Sequence, residues 1–183
     1  LFFAIRNRRV TTFEYLNYQN HLISSRKVHP LALKESKNRW YLIAVDTNDK
    51  VLKSFGLDRI QYLDVSSGKY REKYKYNLKD HFRYSFGVMN SSEQTPQKII
   101  LKCSNQQAEY IKSFPLHHTQ SVLKKTHEEM FFELHLHPTY DFIQEILSYG
   151  SEVTVIEPQT LISTIKNILK IAFSQYCSSE DNT

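Results

Sequence analysis

The chain has few of the residue types on which several protein classes depend. It has 183 residues but only two cysteines, which excludes a small secreted fold held together by disulfides. Its four glycines leave little room for a glycine-rich phosphate loop. No apolar run approaches the roughly 20 residues that span a membrane, and Leu1 to Ile5 is too short for a signal-peptide core. We therefore expect a cytoplasmic protein of one or two small domains without a membrane partner.

The chain also lacks an initiator methionine, since its first residue is Leu1. This start predicts a fragment whose N-terminal part is missing. Hydrophobic residues make up 40% of the chain and charged residues 23%, which is typical of a globular protein and argues against wholesale disorder.

The net charge of +5 is unevenly divided along the chain. Residues 1–86 contain 17 Lys+Arg and 8 Asp+Glu, whereas residues 87–183 contain 7 and 11. The first part also holds 8 of the 12 tyrosines. Cations that offset phosphate charge, interleaved with rings that stack on bases, indicate a nucleic-acid or nucleotide surface. The alternative is that Lys and Arg solubilise a small barrel whose strands are filled by tyrosine.

Short strand patterns dominate residues 10–88, which we predict to be the first domain. Residues 1–9 are predicted to be the end of a helix, because cations suit the free carbonyls of its last turn. Pro30 is expected to interrupt or bulge the strand ladder, and Trp40 and Leu42 are assigned to the core. Five closely spaced strands predict a small β-barrel, since closure removes exposed edges. The predicted strands are residues 10–16, 24–28, 39–47, 51–57 and 60–65, followed by a short helix at 77–86.

The second predicted domain, residues 98–175, follows a polar linker at 89–97 and precedes a flexible tail at 176–183. Its patterns predict the order β-α-β-β-α-β plus a final helix, the split βαβ order of ferredoxin-like folds. Alternation in the strand at 130–137 is clean, with Met130 on the apolar face and Glu133 on the other. The buried stripe of the final helix is predicted to be Leu161, Ile165, Ile168, Leu169 and Ala172.

Signatures of metal and enzyme sites are weak. His135 and His137 share a strand face, and such spacing suits zinc, yet polar residues that alternate on a solvated sheet face need no metal. No Cys-x-x-Cys or Gly-x-Ser-x-Gly motif occurs. Cys103 lies in a predicted strand and Cys177 in the tail, so neither resembles an activated nucleophile. We predict no metal, no cofactor and no enzyme activity.

The most specific pattern is residues 38–46, Asn-Arg-Trp-Tyr-Leu-Ile-Ala-Val-Asp, followed by residues 53–60, Lys-Ser-Phe-Gly-Leu-Asp-Arg-Ile. It resembles the WYL domain of bacterial transcriptional regulators, with Trp40-Tyr41-Leu42 as the naming triplet. The second domain resembles the extension that often follows a WYL domain. Further matching segments are residues 13–15, 28–33 and 82–88 in the first domain, and 115–120 and 153–157 in the second.

The resemblance implies an α+β protein in which a five-stranded Sm/SH3-like β-barrel is followed by the ferredoxin-like βαββαβ domain. It also implies a ligand sensor fused behind a winged helix that binds duplex DNA. The missing N-terminal part would be that winged helix, and residues 1–9 would join it to the barrel. The implied ligand is single-stranded nucleic acid or a nucleotide, and the expected assembly is a homodimer.

The resemblance places ligand-binding residues at Arg26, His29, Tyr41 and Arg59. Arg59 would grip a phosphate through its planar fork, Tyr41 would stack on a base or bond a phosphate, and His29 would donate to an anion. Tyr41 packing in the core, and an Arg59 salt bridge to Asp58 or Asp46, remain the alternatives.

One position departs from the family pattern, because many members carry a basic residue where this chain has Gly56. Either one phosphate contact is missing or Lys53 substitutes for it. In the second domain, His118 and Gln120 are expected to line a ligand channel between the domains or to cap a strand. The leading hypothesis is a ligand-sensing regulatory module, and the alternatives are a structural dimerisation module and a nucleotide-processing enzyme.

Overall fold

The computed structural model describes residues 1–71, 74, 76–89 and 95–177. Residues 90–94 of the predicted linker and 178–183 of the predicted tail lie outside these described residues. The chain divides into two compact units, Leu1–Asn77 and Leu78–Thr183. Each unit contains one antiparallel sheet, so the mixed α+β class is confirmed.

The first unit begins with helix α1 (Phe2–Arg6) and continues as a five-stranded sheet in the order β4-β3-β2-β1-β5. Pro30 lacks a backbone N–H, and the β2–β3 register shifts between Pro30 and Ala32, which is the bulge that its position predicted. The inner face carries a core cluster of Phe13, Val28, Leu42, Ala44 and Phe55. The strands are β1 (Arg9–Leu16), β2 (Ile23–Ser36), β3 (Arg39–Asp46), β4 (Leu52–Gly56) and β5 (Ile60–Lys69).

The expectation of a closed barrel is wrong, because β4 and β5 are the two edges of this sheet. After Gly56, a 3-10 turn at Leu57–Arg59 carries the chain away from β4. Ile60 then pairs with Tyr15 of β1, so β5 extends the opposite side of the sheet. The hydrogen-bonded ladder therefore stays open between β4 and β5.

The prediction for Trp40 is also wrong, since its side chain is 53% exposed, whereas Leu42 is fully buried. Pairing between β3 and β4 starts at Tyr41 and Gly56, so Trp40 lies one residue beyond the end of β4. It adjoins the tight turn at Lys37 and Asn38, whose positive φ angles of 49° and 60° suit a two-residue hairpin. Strand alternation therefore gave the correct face for Trp40, but the sheet is too short there to cover it.

The second unit has the predicted element order, with a four-stranded sheet in the order β7-β8-β6-β9. Alternate residues of β8 are buried, from Met130 to Leu136, and they pack against α3 and α4 in one core cluster that includes Phe142. The elements after helix α2 (Leu78–His81) are β6 (Gln97–Ser104), α3 (Asn105–Ser113), β7 (Ser121–Lys125), β8 (Glu129–Leu136), α4 (Tyr140–Ser148), β9 (Val153–Glu157) and α5 (Gln159–Cys177).

Two helix predictions need correction. The helix predicted at 77–86 ends at His81 and is followed by turns, and residues 78–88 belong to the second unit. There, Phe86 packs edge-on against Phe142 with ring centroids 5.4 Å apart. The predicted buried stripe of α5 is buried only at Leu161, and Leu169 is 53% exposed. The helix extends to Cys177, and the sheet covers only its first turns.

Among the helices of the described residues, none combines the length and the apolar character needed to cross a bilayer.

Candidate anion-binding site

A buried carboxylate organises the cations of the first unit. Asp46, the last residue of β3, has a side chain with no exposed surface. Its Oδ2 accepts hydrogen bonds from Arg26 Nη1 at 3.2 Å and Lys53 Nζ at 3.1 Å, and its Oδ1 accepts from the Asn48 N–H at 3.0 Å. Burial alone would raise the pKa of Asp46, but the Asn48 N–H and the Lys53 ammonium outweigh it and hold the pKa below its usual value.

Arg59 takes part in a different arrangement, which we call the Arg59 pocket. Its guanidinium lies over the rings of Tyr15 and Tyr18, at 4.7 and 5.3 Å from their centroids. Within the described part of the chain no carboxylate forms an ion pair with Arg59. The neighbouring Asp58 instead forms an ion pair with Arg39 at 3.7 Å. The salt-bridge alternative is therefore not what the structure has.

The Arg59 pocket has a volume of about 520 Å³, within the range of small-molecule sites. Arg26 and Arg59 both line it, so these two predicted residues do come together. The hydroxyl of Tyr15 accepts a hydrogen bond from the Gly56 N–H at 3.1 Å, which fixes the ring under Arg59. Burial raises the pKa of Tyr15, so its hydroxyl stays neutral. The other lining residues are Asn17, Tyr18, Gln19, Asn20, Leu22 and Ser24.

His29 lies elsewhere, in what we call the His29 pocket. Its ring stacks on that of Tyr70 with centroids 4.5 Å apart and planes 10° from parallel, and its Nδ1 contacts the Tyr74 hydroxyl. Only 5% of His29 is exposed. The pocket is a broad depression of about 690 Å³, lined by Val10, Lys27, His29, Thr47, Lys50, Lys69, Tyr70 and Arg71.

Tyr41 and Lys53, also predicted to bind ligand, line neither pocket. Tyr41 is half-buried on β3 between Lys34 and Gly56 and is not part of the core cluster. The Lys53 ammonium contacts both Asp46 and Asp49, so those carboxylates already balance its charge. A role for either residue in binding ligand stays a prediction.

In the second unit, the amide of Gln120 braces the loop before β7. Its Oε1 accepts from the Leu116 N–H at 2.9 Å, and its Nε2 donates to the Ile111 carbonyl at 3.0 Å. His118, by contrast, is exposed, with its ring 4.1 Å from that of His117. The oxygen and the nitrogen of the Gln120 side-chain amide therefore both bond the backbone. This favours a structural role for Gln120 over a role in lining a ligand channel.

We expect Gln120→Ala to lower the free energy of unfolding of the second unit by about 1–3 kcal/mol, because two backbone groups lose their partners. His118→Ala is the matched control and should change this free energy by less than about 0.5 kcal/mol. Urea unfolding followed by hydrogen exchange at residues 111–120 would measure both. Equal losses in the two variants would contradict a bracing role for Gln120.

The histidines of the second unit do not form a metal centre among the described residues, where no three His, Cys, Asp or Glu side chains are placed to hold an ion. His117 instead contacts the Thr119 hydroxyl at 2.8 Å, and burial, aided by His118, lowers the pKa of His117 to about 4. Burial raises the pKa of Cys103 to about 12, which disfavours a reactive thiolate.

Most residues of the His29 pocket carry no recognisable sequence signal. Lys27, Lys50 and Lys69 are far apart in sequence, and no local motif marks them. Tyr70 lies just after β5 and returns to β2, where its hydroxyl donates to the Pro30 carbonyl at 2.7 Å. The excess of Lys, Arg and Tyr in residues 1–86 indicated an anion-binding surface, but it did not show which face of the sheet carries that surface.

These features define a two-domain α+β protein whose cations are concentrated in the first domain. Two family models match the chain, the WYL domain over residues 1–65 and the WCX domain over residues 95–172. The chain therefore contains a WYL domain followed by a WCX domain. No curated protein matches the chain.

Two solved structures are similar to the chain. Proteasome accessory factor B/C (PafBC) of Arthrobacter aurescens is 18% identical, with 96% of this chain and 26% of that chain covered and a TM-score of 0.40. A CRISPR Cas-related protein is 12% identical, with 97% of this chain and 50% of that chain covered and a TM-score of 0.55. The chain thus spans half or less of the length of these proteins, and the second similarity supports the fold alone.

Proposed function

We propose that this chain is the ligand-sensing regulatory module of a bacterial transcription regulator, and that it binds single-stranded nucleic acid or a nucleotide in the Arg59 pocket. The WYL and WCX domains support the regulatory role. In the whole protein, a winged helix N-terminal to this chain would bind duplex DNA. Ligand binding would alter DNA affinity only if the ligand prefers one arrangement of the regulator over another.

The observation that carries this proposal is the position of Arg59. Its charge is not balanced by a carboxylate in the described residues, and two tyrosine rings hold its guanidinium in place. A guanidinium can bond two phosphate oxygens at once, so a fixed and unpaired one is suited to phosphate. Arg26 adds a second cation to the same pocket, although Asp46 already balances much of its charge.

The rest of the pocket suits the remainder of a nucleotide. The Oδ1 atoms of Asn17 and Asn20 accept hydrogen bonds from the Gln19 and Leu22 N–H groups, so these residues present their amide NH2 groups to the pocket. Together with the Gln19 amide, these groups can bond the edge of a base. The Tyr18 ring is half exposed and offers a face for stacking. Phosphate, base edge and base face would therefore each find a matching group.

We expect Arg59→Ala to weaken binding of a short single-stranded DNA about 10-fold or more and to lower the slope of log affinity against log salt by about one. Fluorescence anisotropy with labelled single-stranded DNA, single-stranded RNA and nucleotides, at several salt concentrations, would measure this. Arg6→Ala is the matched control, because Arg6 is an exposed arginine of the same unit that does not line the pocket.

Two results would contradict the proposal, namely no binding by the unmodified chain at low salt and equal binding by the Arg59 variant. A stable dimer in light scattering without ligand affinity would instead favour the structural dimerisation module. The specific observation behind that alternative is the exposed apolar side chains on the second half of α5, where Phe173 and Tyr176 are 71% and 79% exposed.

A further inference from the structure

The His29 pocket lies on the opposite face of the first sheet from the Arg59 pocket. Arg26 and Lys27 are consecutive residues of β2, and consecutive side chains of a strand point to opposite faces. Arg26 lines the Arg59 pocket and Lys27 lines the His29 pocket. A group bound in one pocket is therefore separated by the sheet from a group bound in the other.

The lining of the His29 pocket carries one sign of charge. Four of its eight lining residues are Lys or Arg, and none is Asp or Glu. Within the described part of the chain, no ion pair involves Lys27, Lys50 or Lys69. Several like charges around one depression repel each other, and an anion placed among them would relieve that repulsion.

The pocket wall is held in place by several contacts around Tyr70. Its ring stacks on His29, its hydroxyl donates to the Pro30 carbonyl at 2.7 Å, and its N–H donates to the Arg8 carbonyl at 3.0 Å. The Arg8 guanidinium also lies 5.4 Å from the centre of this ring. Lys69 and Arg71 flank Tyr70, and Lys69 pairs with Arg9 of β1, so the contacts of Tyr70 also restrain the chain on either side of it.

From this geometry we infer a second anion-binding site, the His29 pocket, which takes a phosphate-class polyanion independently of the Arg59 pocket. Lys27, Lys50 and Lys69 supply the positive charge. The shared chemistry is a run of adjacent phosphates, and its two possible sources are a nucleic-acid backbone and a free polyphosphate-type anion. The site does not depend on the ligand proposed for the Arg59 pocket.

Isothermal titration calorimetry with inorganic tripolyphosphate at 20 and 300 mM NaCl tests this inference. We expect salt-sensitive binding that becomes at least about 10-fold weaker in the double variant Lys27→Gln/Lys69→Gln. Both lysines are exposed, so the fold should survive, which a thermal melt would verify. The component of tripolyphosphate binding that depends on Lys27 and Lys69 should persist in Arg59→Ala, because Arg59 does not line this pocket.

The matched control is Arg6→Gln/Lys37→Gln, which removes the same charge from exposed positions of the same unit that do not line the pocket. An equal loss in this control would show general electrostatic attraction and overturn the inference. Absence of tripolyphosphate binding at 20 mM NaCl, or loss of binding only in Arg59→Ala, would overturn it as well. None of these three results decides whether Arg59→Ala weakens oligonucleotide binding, so failure of this inference and failure of the proposed function are distinguishable.

A competition arm identifies the source of the phosphates. If a single-stranded oligonucleotide displaces tripolyphosphate, and Lys27→Gln/Lys69→Gln weakens the oligonucleotide too, the pocket binds a nucleic-acid backbone. If the oligonucleotide leaves tripolyphosphate bound, the pocket takes a free polyphosphate-type anion. Both outcomes support a second site, and they differ only in its natural occupant.

Discussion

Asp46→Ala is expected to lower the free energy of unfolding of the first unit by about 2–4 kcal/mol. The substitution removes a buried carboxylate that bonds Arg26, Lys53 and the Asn48 N–H. Both cations are 30% exposed, so water can partly hydrate them afterwards, which keeps the loss below that of a fully buried pair. Urea unfolding followed by Trp40 fluorescence would measure the change, since Trp40 lies in this unit.

Asp49→Ala is the matched control for this experiment. Asp49 contacts the same Lys53 ammonium, but its side chain is 46% exposed, and an exposed ion pair contributes little. We therefore expect a much smaller change than for Asp46→Ala. Comparable losses in the two variants would show that burial of the Asp46 carboxylate is not what stabilises the unit.

The stabilisation by Asp46 should also depend on pH. Because the folded pKa of Asp46 is lowered, its contribution is complete above the unfolded value of about 3.9 and is lost as the pH falls through the folded pKa. The difference in stability between the unmodified chain and Asp46→Asn should therefore shrink between pH 7 and pH 3. A difference that stayed constant over this range would contradict a charged Asp46.

Asp46 also connects stability to the candidate site. It holds Arg26 at the edge of the Arg59 pocket and keeps Lys53 turned toward carboxylates rather than toward ligand. Arg59, in contrast, is positioned by the Tyr15 and Tyr18 rings without a carboxylate partner in the described residues. The three cations of the first unit that the sequence predicts to bind ligand, Arg26, Lys53 and Arg59, therefore differ in charge balance. Of these three, Arg59 is the one suited to an incoming phosphate.

Local sequence patterns predicted most of the strands and helices, because alternation, β-branching and proline act on neighbouring residues. Pro30 produced its bulge, and Leu42 is in the core. Patterns of this kind give the face of a side chain but not how far the neighbouring strand extends. The predicted burial of Trp40 is wrong for that reason. The predicted burial of Leu169 is wrong because α5 continues beyond the sheet that would cover it.

The candidate site was harder to predict, because distant segments build both pockets. Arg26 and Arg59 meet only because β1 lies between β2 and β5, which brings the 3-10 turn close to the first hairpin. Lys69 meets Lys27 because Tyr70 returns to β2 and stacks on His29. The spacing of residues in the sequence does not show which distant segments come together in the fold. The resemblance to a family therefore indicated ligand-binding residues that periodicity alone did not.

Phe132→Ala should have the largest effect in the second unit, with a loss of about 3–5 kcal/mol in its free energy of unfolding. The Phe132 side chain is fully buried in the middle of β8, where it pairs with Leu101 of β6 and Val122 of β7. Its removal leaves a cavity in the cluster that joins the sheet to α3 and α4. Hydrogen exchange of β6 and β8 amides in increasing urea would measure the loss.

Phe131→Ala is the matched control, because the two phenylalanines are adjacent in β8 and point to opposite faces. Phe131 is half-buried, and the Lys124 ammonium lies 6.0 Å from its ring centroid, so its removal should cost about 1 kcal/mol. If Phe132→Ala leaves the unit unfolded, Phe132→Leu keeps most of the volume and should lose less than about 1.5 kcal/mol. Equal losses for the two alanine variants would contradict the alternation in β8, because only Phe132 points into the core of this unit.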